Sequence, residues 1–157
     1  MAIQVRAILP EDREWLRQYL LKRWGSEITY TRGVEHNVAV TPGLLAVCNG
    51  DVVGVLTYIE HGDDCEILCL NALREGKGVG SLLVETFLKD RIPGERITVS
   101  VYNDNLAALG FLQHLGFRLV SLLPGSVDEA RRKNPAIPLV GARGIIIHDE
   151  IVLAQRL

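Results

Sequence analysis

Apolar residues along the chain recur at two periods, and the switches between those periods divide it into elements. Ile3, Val5 and Ala7 alternate with other positions and predict a first strand. Pro10, Glu11 and Asp12 stand where a helix's first turn favours proline and acids, and Trp15, Leu16, Tyr19 and Leu20 supply an apolar stripe. That helix is expected to end near Trp24-Gly25. Ser26 to Pro42 carry no clear period; a short helix with loops that shape a pocket is expected there. Leu44 to Cys48 and Val52 to Ile59 read as strands, joined by an Asn49-Gly50-Asp51 turn whose residues tolerate positive φ. His61-Gly62-Asp63-Asp64 is the next turn, and Cys65 to Leu70 completes the meander as the fourth strand.

A glycine loop follows, and the positions Val79, Leu82, Leu83, Thr86 and Phe87 predict a helix from Gly78 to about Asp90. Pro93-Gly94 breaks the chain before an alternating strand at Ile97, Val99 and Val101. Asn103-Asp104-Asn105 caps a helix whose apolar positions are Ala108, Leu109, Leu112 and Leu115, and Gly116 ends it. Phe117 to Leu123 reads as a strand. Ser126 to Lys133 reads as a short helix, with Ser126 as cap and Glu129 as its capping-box partner. Ile145 to Ile147 and Ile151 to Leu153 give a strand pattern in the tail. No repeat or linker divides the chain. The expectation is one α+β domain over residues 1–157, with a mixed, mostly antiparallel sheet and helices on both faces.

The totals narrow the function. A chain of 157 residues buries roughly 70% of its unfolded surface without a disulfide or metal staple. Net charge is −2 and no long basic run appears, so nucleic acid is not an expected partner. No apolar run reaches the ~20 residues of a membrane span, and the N-terminus lacks a signal-peptide pattern. Cys48, Cys65 and Cys69 lie in apolar segments and read as buried free thiols in a reducing cytoplasm.

The chemistry concentrates in Arg74-Glu75-Gly76-Lys77-Gly78-Val79-Gly80-Ser81. The order is strand, glycine loop, helix. Glycines let the main chain approach a ligand, and a helix N-terminus offers free N–H groups and a positive dipole end. Together they suit a phosphate or diphosphate. The P-loop spacing is absent, because Gly76-Lys77 lacks the preceding glycine. The dinucleotide pattern fails too: Ser81 stands at its third glycine, and the loop follows the fourth strand rather than the first.

The arrangement resembles the GNAT superfamily of acetyl-CoA-dependent N-acyltransferases. Glu75-Gly76-Lys77-Gly78-Val79-Gly80 fits that family's [Q/R]-x-x-G-x-[G/A] loop except at its first residue. Asn105, Ala108, Phe111, Gly116 and Phe117 match a second signature, N-x-x-A-x-x-F-Y-x-x-x-G-F. The strand order agrees as well. The resemblance implies that the CoA diphosphate lies on the N–H groups of Gly76, Lys77, Gly78, Val79, Gly80 and Ser81. It implies that the pantetheine arm pairs with main chain near Leu70, Asn71 and Ala72, where an N–H also holds the thioester oxygen. Asn105, Ala108 and Phe111 then flank the arm. Two departures stand out. Glu75 puts a negative charge near phosphate, with Arg74 or Lys77 to compensate. Leu112 occupies the place of the tyrosine that often protonates the leaving thiolate. A thiol of pKa about 8.5 can leave without that acid, and Tyr102 on the neighbouring strand is the substitute candidate.

An acceptor amine has a pKa about 10, so a base must take its proton before attack. Glu66, at the start of the fourth strand, is the candidate base; a solvated strand-end glutamate is the rival reading. Asp149 and Glu150 read as a surface turn, or as a seat for a cationic acceptor. His61, Cys65 and Cys69 share a spacing, but on a strand they spread over more than about 20 Å, too far for one metal ion. Trp24, Tyr30, Arg32 and His36 lie where the family builds its acceptor pocket. The sequence thus points to transfer of an acetyl group from acetyl-CoA to a primary amine of a small molecule or peptide, in a direct ternary complex. The alternative is a non-catalytic module that binds CoA thioesters. A homodimer is also compatible with the resemblance.

Overall fold

The computed structural model describes residues 2–157. The first strand, β1 (Gln4–Ala7), leads through a single turn at Pro10–Asp12 into α1 (Arg13–Trp24), which Gly25 ends in the left-handed conformation. Here Leu16 and Leu20 are buried, and Trp15 stacks on Tyr19 with ring centroids 5.2 Å apart. Residues 26–42 differ from the expected short helix and loops. They form a hairpin, β2 (Ile28–Thr31) and β3 (Val34–Asn37), and then one 3₁₀ turn at Val38–Val40. Arg32 and Gly33 both take positive φ at its tip, 50° and 78°. That is the tight turn a two-residue hairpin requires, built with arginine at a position where asparagine is the usual signal.

The meander follows as β4 (Gly43–Cys48), β5 (Asp51–His61) and β6 (Asp64–Ala72), with the Asn49-Gly50 turn as expected. Then come α2 (Val79–Lys89), β7 (Arg96–Tyr102), α3 (Leu106–His114), β8 (Arg118–Leu123), α4 (Ser126–Lys133) and β9 (Glu150–Arg156). In the seven-stranded sheet the order is β1-β4-β5-β6-β7-β9-β8. Its one parallel pair is β6–β7; the others are antiparallel.

Helices cover both faces. On one, α2 and α3 bury Val79, Leu83, Phe87 and Leu112 against Ile67, Ile97, Val99 and Leu153. On the other, Leu16 and Leu20 of α1 meet Leu45, Val55 and Cys69. The capping box expected at α4 does not form. Gly125 is the cap residue, and the Ser126 hydroxyl instead donates 2.7 Å to Glu150 Oε1. In the tail only the second half of the pattern is a strand; Ile146 makes an isolated bridge to Val140. Glu150 is no surface-turn residue. It is 1% exposed.

Candidate active site

The site begins as a fault in the sheet. Strands β6 and β7 pair from Asp64–Arg96 to Ile67–Val99 and then separate. Beyond that point β6 stays paired to β5 as far as Ala72, and β7 stays paired to β9 as far as Tyr102. Only their facing edges part. The cause is local: the β5–β6 register shifts between Thr57 and Tyr58, leaving Leu68 as the extra residue of a bulge. A bulge bends its strand and increases its twist. Past it, Leu73 N–H donates 2.8 Å to Val53 O. By ladder alternation, 71 and 69 also direct their polar groups at β5, so those of Leu70 and Ala72 face the opening.

At the far end of β6 stands the glycine loop. Gly76 and Gly78 take φ of 71° and 70°, which residues with a Cβ rarely adopt. Gly78 is the N-cap of α2, no side chain caps the helix, and its first turn holds no acid. The Phe111 ring lies over this turn: a Cβ added at Gly80 would come within 3.1 Å of its Cζ. Hence the loop and the α3 sequence, distant in the chain, meet in one place. Asn105 caps α3 by accepting 3.1 Å from Ala108 N–H.

Polar side chains collect on the sheet face that α1 and the hairpin share. Glu66 is 1% exposed, and Arg32 donates to its Oε1 at 2.7 Å. The Arg32 main-chain N–H donates to both oxygens of buried Glu150, at 2.8 and 3.1 Å. Tyr102 donates its hydroxyl to Tyr30 O at 2.9 Å, and burial foremost, with Glu150 beside it, pushes its pKa up to about 12. So Tyr102 anchors the hairpin rather than standing free in the opening. His61 Nε2 lies 3.4 Å from Glu66 Oε1 and reaches solvent. His36, bonded to Thr31 at 2.9 Å, has its pKa lowered by burial.

Among the described residues, four buried side-chain oxygens lack a partner, and three of them are Thr57 Oγ1, Glu66 Oε2 and Ser100 Oγ. The pairs Thr57–Cys69, Ile59–Glu66 and Glu66–Thr98 put all three on the same sheet face, on neighbouring strands, where β6 and β7 divide. Buried polar atoms are nearly always satisfied. Three orphans clustered at the fault mark a place built for a polar group from outside the chain.

Known proteins agree with this architecture. The profile of the Acetyltransferase (GNAT) family matches residues 9–117. The chain belongs to the GNAT acetyltransferase family. An uncharacterized Bacillus subtilis protein, YdhI, is 33% identical to this GNAT chain over 155 residues, covering 94% of it and 96% of YdhI. Among solved structures, an IAA acetyltransferase from Bacillus cereus superposes with a TM-score of 0.68 at 20% identity, covering 99% of this chain and 100% of that one. A GNAT family acetyltransferase from Elizabethkingia anophelis with acetyl-CoA bound gives 0.67 at 18% identity, covering 99% and 98%.

In this GNAT domain the expected cofactor residues converge: Leu70, Asn71 and Ala72 edge the wedge, and residues 76–81 close its end with Phe111. Asn71 itself turns to Cys69, its Nδ2 3.5 Å from Sγ. Glu66 sits at the fault and is not solvated. Lys77 is exposed, and Arg74 lies 3.7 Å from Asp51. Cys65 and Cys69 are buried thiols whose pKa burial pushes up to about 12. Leu112 is 2% exposed within the α3 core and offers the wedge nothing. Sequence reasoning missed Ser100, Thr57 and the structural part of Glu150. No helix among the described residues is long and apolar enough to cross a membrane.

Proposed function

We propose that this protein transfers the acetyl group of acetyl-CoA to a primary amine of a small molecule or peptide, in a direct ternary complex. The observation that carries the reading is the β6–β7 wedge, with free main chain at Leu70 and Ala72 and three orphaned oxygens at its apex. A protonated primary amine carries three N–H donors. Glu66 Oε2 is an unpartnered acceptor to receive it, with Ser100 Oγ on the neighbouring strand.

The N–H groups of residues 79–81 hold the diphosphate, and the positive φ of Gly76 and Gly78 lets the main chain approach it. Leu70 and Ala72 bond the pantetheine amides as a neighbouring strand would. An N–H of that edge holds the thioester oxygen as charge develops on it. Glu66 Oε2 takes the proton of the amine. The nitrogen lone pair then forms the C–N bond, the C–S bond breaks, and the nitrogen's second proton passes to the departing thiolate, so that CoA leaves as the thiol. A thiol of pKa about 8.5 is an adequate leaving group, so no dedicated acid is assigned. His61, exposed and near Glu66 Oε1, gives the abstracted proton a route to water. Arg32 fixes the Glu66 carboxylate and closes the hairpin over it.

Thiol release from acetyl-CoA, followed with a thiol-reactive dye across a panel of primary amines, tests the reading. Amine-dependent release is the expected result. Thermal stabilisation by CoA with no release for any amine favours a binding module, the reading that buried Leu112 motivates.

A further inference from the structure

On the face that carries Glu66, three arginines gather on the paired side of the fault, away from the opening. Arg96 of β7 pairs directly across from Arg156 of β9, and Arg118 of β8 pairs with Ala154 two residues along. Alternation puts Arg96, Thr98, Ala154, Arg156 and Arg118 on one side of the sheet, the side of Glu66, which neighbours Thr98. They line a cleft of about 360 Å³, with Ala154 and Val120 among its walls.

Like charges directly opposite each other on paired strands are destabilising. Here the charge is scarcely offset. Asp64 lies 3.3 Å from Arg96 and is partly exposed. Arg156 spends its Nη1 on Gly94 O at 2.9 Å. Arg118 has no partner among the described residues and is exposed. Three guanidinium groups around one carboxylate leave a net positive cleft whose forks suit a planar or tetrahedral anion.

That anion is not a phosphate of CoA. The uncapped turn of α2 packs on the opposite face, through Val79 and Leu83. It also stands past the C-terminal end of β6, whereas Arg96 begins β7 and Arg156 ends β9. The cleft lies instead on the Glu66 face, with buried Thr98 and Ala154 between the two and Arg32 donating 3.4 Å to Thr98 Oγ1. The row Glu66–Thr98–Ala154–Arg118 crosses three strand spacings, roughly 14 Å between its end Cα atoms.

We infer that Arg96, Arg118 and Arg156 form an anion subsite for the acceptor, which carries a carboxylate or phosphate at the end remote from its amine. This rests on the acetyltransferase reading above. Its chemical content is a substrate with separated charges: a cation for Glu66 and Ser100, an anion for the arginines.

The decisive experiment uses the free protein, without acetyl-CoA. Inorganic phosphate and glutarate are titrated separately while the amide signals of residues 118–120 and 154–156 are followed by NMR. Saturable shifts with at least one probe are expected, weakened at least tenfold when Arg118→Ala and Arg156→Ala are combined. The tighter probe says whether the natural group is a phosphate or a carboxylate. No saturable shift with either, or equal affinity in the double variant, overturns the subsite. A second arm compares thiol release with amines long enough to span the separation between Glu66 and the cleft, 8-aminooctanoate against octylamine and 8-aminooctyl phosphate against 8-aminooctanol. A charged member should be favoured at least tenfold in kcat/KM, and the double variant should lose that preference through acceptor KM. Equal use of charged and neutral members by the wild type counts against the subsite. If no amine releases thiol, the acetyltransferase reading falls, and the titration still decides whether the cleft takes anions.

Discussion

Gly78→Asp separates folding from cofactor binding. Gly78 is the N-cap of α2, has φ of 70°, and leaves the helix without a side-chain cap. A left-handed position costs an ordinary residue roughly 1–2 kcal/mol, and aspartate is among those that tolerate it. Against this, an aspartate cap in place of glycine returns only a few tenths of a kcal/mol. Folding stability should therefore stay within about 2 kcal/mol of wild type, read by urea denaturation. Binding behaves differently. The new carboxylate takes an N–H that the diphosphate needs, a loss of about 1.5–3 kcal/mol for a charged acceptor. It also stands roughly 5 Å from two like charges, a repulsion of about 2 kcal/mol at the dielectric of water and more if water is excluded. The loop is exposed, so the lower figures apply, and their sum exceeds about 3 kcal/mol. Each 1.4 kcal/mol is tenfold, so CoA affinity by calorimetry should fall by more than about 100-fold. A stable Gly78→Asp protein that binds CoA within threefold of wild type refutes the placement of the diphosphate.

Other consequences are as specific. Glu66→Gln should lower kcat by about 10²-fold or more and remove the acidic limb of the pH–rate profile; an unaltered rate and profile exclude it as base. Glu150→Ala strands the Arg32 N–H and the Ser126 hydroxyl, and should cost about 2–5 kcal/mol in urea denaturation. A cost below about 1 kcal/mol would mean that the hairpin tip is held some other way. His36 has its pKa lowered by burial from 6.5, so the unfolded chain takes up the proton first as pH falls. Its contribution is complete above about pH 6.5 and is lost as pH drops through that value toward the folded pKa. His36→Gln should flatten the decline in stability between about pH 7 and 5, and an equal decline contradicts the assignment.

Much of the frame is legible in the chain because local signals and tertiary packing agree there. Asn49-Gly50 needs positive φ and has it; Asn105 caps α3; Gly116 ends it at φ 95°. The glycine loop and Phe111 are found by pattern, and packing over Gly80 joins them. The β2–β3 hairpin was hidden because its turn is Arg32-Gly33, and because β3, with polar Glu35, His36 and Asn37 in succession, shows no apolar alternation and buries none of its residues fully. The polar centre was hidden for a different reason. Glu150 lies 118 positions from Arg32, and only the docked hairpin makes its burial favourable. The same contact defeats the capping box, since the Ser126 hydroxyl gains more from a buried carboxylate than from its own helix. Ser100 and Thr57 carry no local signal; their meaning arises from the bulge at Leu68, which opens the sheet beside them.

The central claim is that CoA occupies the wedge between β6 and β7. A titration of the ¹⁵N-labelled protein with CoA tests it most directly. The amides of Leu70 and Ala72, with those of residues 79–81, should shift together and gain protection from hydrogen exchange, while those of the β4–β5 turn stay fixed. If CoA saturates the protein and the Leu70 and Ala72 amides neither move nor gain protection, the wedge is not its seat.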